Sequence, residues 1–112
     1  MPKTKNGIPD SVKQEVETRV DFFNTTELAK GKSQYVPFFR GKFIYLKRIY
    51  PGNRIDEICR LTYTGDLENT DFAIFRYSTE TYDPDEYFFN GAGHFDGTLE
   101  GAMRAGLEAY ED

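Results

Sequence analysis

Two runs rich in β-branched and aromatic residues, Lys42–Tyr50 and Arg54–Thr64, flank Pro51-Gly52-Asn53. Turn formers between two such runs predict a β-hairpin. A hairpin in the middle of the chain commits the fold to an antiparallel sheet. With Tyr50 facing Arg54, Arg48 stands opposite Asp56 and Lys47 opposite Glu57. Cross-strand pairs of opposite charge contribute about 0.2–1 kcal/mol each, so charge and turn chemistry select the same register. Carried along the whole hairpin, that register gathers Phe43, Tyr45, Ile49, Ile55, Cys59, Leu61 and Tyr63 on one face. The other face then holds Ile44, Leu46, Tyr50 and Ile58 among Lys42, Arg48, Arg54 and Arg60.

The flanking segments supply helices and further strands. Val12, Val16, Val20 and Phe23 recur at helical spacing, and Ser11 with Gln14 has capping-box spacing after Pro9, predicting a helix from Ser11. Residues 1–9 read as a flexible arm and residues 10–112 as one domain, the size expected for a single core. Tyr35–Arg40 is a candidate strand that Pro37 confines to an edge. Asp71–Ser78 reads as a further strand, with Phe72 and Ile74 on one side and Ala73, Phe75 and Tyr77 on the other. Residues 79–97 form a long connection in which Tyr87-Phe88-Phe89 is an anchor or another short strand. Leu99, Ala102, Met103, Gly106, Leu107 and Tyr110 form one stripe of a last helix that Thr98 can cap. The fold class is α+β: an antiparallel three- to four-stranded meander with one N-terminal and one C-terminal helix packed on it. Aromatic residues make up 16% of the chain, and each buries about 150–250 Å², so few are needed to fill the core.

Several chemistries are excluded by spacing. Lys30-Gly31-Lys32-Ser33 ends like a phosphate-binding loop, but the required earlier glycine falls on Thr26. Gly91-Ala92-Gly93-His94-Phe95-Asp96-Gly97 has one residue too many for a dinucleotide turn, and Asp96 and Glu100 would repel phosphate there. His94 is the sole histidine, which rules out a multi-histidine metal cage. The carboxylate sets Asp83, Asp85, Glu86 and Asp66, Glu68, Asp71 lack calcium-loop spacing. Cys59 is the one cysteine, so no internal disulfide forms, and its place in a strand predicts a buried thiol. No cofactor is expected. No run approaches the ~20 apolar residues of a membrane span, and no apolar stretch follows the N-terminal residues, so no membrane partner is expected and the cytoplasm is the expected compartment.

Charge separates the functional readings. The net charge of −5 hides a reversal. Residues 30–60 carry eight basic groups against Asp56 and Glu57, whereas residues 61–112 carry Arg76 and Arg104 against twelve carboxylates. The leading reading is a non-enzymatic domain that binds a protein, or itself as a homodimer, through the sheet face bearing Ile44, Leu46, Tyr50 and Ile58 or their counterparts. A second reading assigns Lys42, Arg48, Arg54 and Arg60 to a nucleic acid or other polyanion. The order helix, three strands, helix resembles the outline of double-stranded-RNA-binding domains, which carry a lysine cluster at the start of the second helix. Here that helix begins Gly97-Thr98-Leu99-Glu100, its one basic residue is Arg104, and the pI near 4.9 disfavours phosphate binding. A third reading places a ligand or an enzyme's substrate under loop 79–97, among Tyr82, Tyr87, His94 and Asp96.

Overall fold

In the computed structural model, which describes residues 7–28, 33–84 and 92–110, both helices lie on the same side of one antiparallel sheet. The elements are α1 (Asp10–Thr26), β1 (Gln34–Arg40), β2 (Phe43–Tyr50), β3 (Arg54–Thr62), β4 (Asp71–Arg76), β5 (Thr81–Asp83), a 3-10 turn (Ala92–His94) and α2 (Leu99–Ala109). The strands form a meander in the order β1-β2-β3-β4-β5. The fold is therefore α+β with a helix at each end, as the patterning predicts. The sheet has one strand more than expected, β5, which forms within the 79–97 connection. Tyr87-Phe88-Phe89 lies outside the described residues.

α1 starts one residue earlier than the capping-box spacing suggests. Pro9 is the N-cap, Ser11 makes no cap, and the Pro9 carbonyl accepts from the amides of Val12 and Lys13, each at 3.0 Å. Proline suits this position because its extended conformation feeds the chain into the helix and the amide hydrogen it lacks would have no partner within the helix. Asp10 adds a carboxylate in the first turn, where the helix dipole favours it. The arm expected at residues 1–9 is anchored at its end, since Ile8 is buried in the core. Val16, Val20 and Phe23 bury the predicted stripe. Asn24 then pins α1 to β1: its amide donates to the Tyr35 carbonyl at 3.0 Å and accepts the Tyr35 amide at 2.9 Å. At α2, Thr98 caps as expected, its hydroxyl accepting the Gly101 amide at 2.9 Å.

The hairpin follows the predicted register from Tyr50–Arg54 to Lys47–Glu57 and then departs from it. Leu46 pairs with Cys59, and Ile44 with Leu61, so Ile58 is the extra residue of a β-bulge. The reason is burial. The unbroken register would place Arg60 opposite Ile44 inside the core. The bulge puts Leu61 there and moves Arg60 opposite Tyr45 on the other face. Ile58, Cys59 and Leu61 consequently all face the helices and are fully buried, which corrects the expected separation of Cys59 and Leu61 from Ile58.

α1 rests on β1 and α2 on β3, and the helices touch each other. Arg19 joins them, donating to the Glu100 carboxylate at 2.6 and 2.9 Å and reaching Glu68 at 3.1 Å. Gly106 allows α2 to close on the sheet: a Cβ there would stand 2.5 Å from Ile58 Cγ2 and nearer still to the Tyr35 hydroxyl. That hydroxyl donates to the Met103 carbonyl at 2.7 Å.

Candidate functional site

With both helices on one side, strand alternation fixes what the other side displays. Phe38 and Arg40 of β1, Phe43, Tyr45 and Lys47 of β2, Glu57 and Arg60 of β3, Phe75 of β4 and Tyr82 of β5 point away from the helices. Tyr77 follows directly after β4. Between them lies a groove of about 570 Å³. It is lined by Phe38, Arg40, Tyr45 and Lys47 from β1 and β2 and by Glu57, Phe75, Tyr77, Glu80 and Tyr82 from the rest of the sheet.

Four rings form a continuous edge-to-face series along the groove. Tyr45 and Tyr82 have centroids 5.4 Å apart, Tyr82 and Phe75 5.0 Å, and Phe75 and Tyr77 4.7 Å. These are the favoured geometries for aromatic pairs. The polar atoms form a second network. The Lys47 ammonium lies 3.3 Å from the Glu57 carboxylate and 4.7 Å from the centre of the Phe38 ring. The Tyr82 hydroxyl donates to the Glu57 carboxylate, and the Tyr77 hydroxyl donates to the Glu57 carbonyl at 2.8 Å. Arg60 places its guanidinium 4.4 Å from the Phe43 ring centre and 5.4 Å from that of Tyr82.

Burial pushes the Tyr77 phenol up to about 12. The Tyr82 phenol is driven well above the usual tyrosine range, by burial first and by its hydrogen bond to the Glu57 carboxylate second. Both phenols therefore stay protonated at neutral pH and act as hydrogen-bond donors, not bases. The groove therefore presents ring faces, with both phenol protons already engaged by Glu57.

The predicted interface set needs correction. Ile44, Leu46 and Ile58 are fully buried beneath the helices, because the aliphatic face of the hairpin is the one the helices cover. Tyr50 is half-buried at the hairpin end, its ring 4.1 Å from the Arg54 guanidinium. Their counterparts on the opposite face make the groove.

The four proposed polyanion ligands do not come together either. Arg48 is 1% exposed and donates to the Ser33 hydroxyl and the Tyr110 carbonyl. Arg54 is at the hairpin tip, 3.2 Å from Asp56. Lys42 is exposed in the β1–β2 turn, and Arg60 alone reaches the open face.

The predicted pocket is divided as well. Tyr82 lines the groove, whereas His94 and Asp96 lie at the start of α2. His94 Nε2 is 2.7 Å from the Glu108 carboxylate. Asp96 accepts from the Thr98 hydroxyl at 2.6 Å and its amide at 3.1 Å, and these hydrogen bonds hold its carboxyl below the usual range. Tyr87 lies outside the described residues. Cys59 is a buried thiol whose pKa burial alone pushes well above its usual range.

Sequence reasoning missed Phe38, Tyr45, Lys47, Glu57 and Tyr77 as site residues. The available signal was the alternation itself: Tyr45, Lys47 and Glu57 each neighbour a residue that is fully buried, Ile44, Leu46 or Ile58.

Among the described residues, no three His, Cys, Asp or Glu side chains gather as a metal site, and no helix is long and apolar enough to cross a membrane. No protein-family model matches the chain, and comparisons with curated proteins and with solved structures find no match.

Proposed function

We propose that this chain is a non-enzymatic interaction domain that self-associates through the open face of its sheet. The observation that carries the reading is the one-sided placement of the helices. It leaves Phe38 and Tyr77 exposed at 42% and 48% on either side of an aromatic groove. Contiguous apolar surface of this kind on a single chain marks an interaction face. Charge favours a second copy as the occupant. The chain carries −5 overall, so two copies repel at long range. The groove is different: its lining balances Arg40 and Lys47 against Glu57 and Glu80. The test is light scattering over a concentration series at low and high salt. A dimer that Phe38→Asp converts to monomer supports the reading. A wild-type monomer at every concentration overturns it.

A second reading has its own observation. Lys47 over Phe38 and Arg60 over Phe43 and Tyr82 place cations on aromatic rings of an open sheet, the arrangement that holds single-stranded nucleic acid. Binding of a fluorescent single-stranded oligonucleotide that weakens steeply with salt, and is lost in Arg60→Ala, would support it.

A further inference from the structure

The open face is patterned in a way that selects one orientation between two copies. Phe38 and Arg40 lie on the β1 edge, whereas Tyr77 and Glu80 lie at the opposite edge, where β4 turns into β5. All four side chains are exposed. Across the sheet, four strand spacings separate β1 from β5, roughly 19 Å. Along the strands, Arg40 stands beside Phe43 at one end, and Tyr77 reaches the Glu57 carbonyl at the Lys47–Glu57 pair toward the other. The run from Phe43 to Lys47 spans roughly 13 Å at the usual rise per residue.

The two offsets define a diagonal across the open face. A two-fold axis lying between two such faces, perpendicular to that diagonal, exchanges the two corners. It brings Arg40 of one copy over Glu80 of the other, and Phe38 over Tyr77. The strands of the two sheets then cross at roughly 70°, closer to the orthogonal than to the aligned way in which sheets stack. Each contact is made twice, as an isologous interface requires. Among the described residues neither Arg40 nor Glu80 forms an ion pair within its own chain.

We propose that two copies pack open face to open face about this axis, with Arg40 of each on Glu80 of the other and the exposed rings of Phe38 and Tyr77 in contact. This rests on the reading of the open face as a self-association surface and adds its geometry.

The test is reciprocal charge reversal, read as the dimer dissociation constant by sedimentation. Arg40→Glu alone and Glu80→Arg alone each set like charges together twice per dimer, and each raises the constant by roughly tenfold. An equimolar mixture restores affinity to within about twofold of wild type. In the mixed dimer each altered residue faces the other altered residue, and the untouched Arg40 faces the untouched Glu80. Melting curves of the variants show that they are folded, as both positions are exposed. If the wild type dimerises but the reversals leave its affinity unchanged, or the mixture fails to recover it, the proposed pairing is overturned while self-association stands. If the wild type stays monomeric, both readings fall.

Discussion

Replacing Gly106 by alanine opposes two effects of known size. In an unconstrained helix the change stabilises by about 0.8–1 kcal/mol. At this position the added Cβ would stand 2.5 Å from Ile58 Cγ2 and closer to the Tyr35 hydroxyl. Neither neighbour has space to yield, since Ile58 is fully buried and Tyr35 is 2% exposed. Overpacking of this kind costs about 1–3 kcal/mol. Displacing the Tyr35 hydroxyl from the Met103 carbonyl costs about 1 kcal/mol more. After the helix gain is set against these, the expected net loss is about 1–3 kcal/mol. Urea unfolding reads it as a lower midpoint at unchanged slope, by roughly 1 M at the slopes usual for small domains. Gly93→Ala is the control, because a Cβ there meets nothing within 4 Å, and its unfolding free energy stays within about 0.5 kcal/mol of wild type. If Gly106→Ala is as stable as wild type or more so, α2 does not close on β1 and β3, and the assignment of covered and open faces fails with it.

Other outcomes follow from the same contacts. The Arg19 hydrogen bonds hold the Glu100 carboxyl below its ordinary 4.5. The stability that Glu100→Gln removes is therefore full above about that pH and shrinks as the pH falls through the depressed value, measured as the difference between wild-type and variant urea midpoints. The Tyr77 phenol is raised from 10.0 to about 12. Its contribution to stability is full below pH 10 and declines between pH 10 and 12, so the wild-type midpoint falls across that window and Tyr77→Phe falls less steeply. Cys59, buried and with a raised pKa, reacts with a thiol reagent only as fast as the core opens, and the reaction rate tracks global unfolding in urea.

What was readable in the sequence was what local chemistry decides. Pro51-Gly52-Asn53 and the charge pairs at Arg48–Asp56 and Lys47–Glu57 act over a few residues, and the register they predict is present up to Lys47. α2 was readable because Thr98 and a helical stripe lie within one segment. The bulge was not, since an added residue leaves every local preference of β3 intact. It is selected by what lies across the sheet, where Leu61 opposite Ile44 excludes Arg60 from the core. The fifth strand was missed for a related reason. Thr81–Asp83 is three residues long and gains its pairing and burial from β4.

The choice of the wrong face at Ile44, Leu46 and Ile58 has a physical lesson. Both halves of the β2 alternation are apolar enough to be buried: Ile44 and Leu46 on one side, Phe43 and Tyr45 on the other. They differ in what burial demands. Aliphatic side chains need only neighbours, and the helices supply them from Val16, Val20, Leu99 and Met103. A tyrosine hydroxyl needs a hydrogen-bond partner or water. At Tyr35 the partner is the Met103 carbonyl, and that ring enters the core. Tyr77 and Tyr82 find theirs on Glu57 at the open face, where the ring stays partly exposed and the hydroxyl is satisfied. A tyrosine without a partner in the helix layer therefore belongs on the face away from it. That criterion selects Tyr45 over Ile44 as a surface residue, and it puts Tyr45, Tyr77 and Tyr82 on one open face with the cations Lys47 and Arg60 between them.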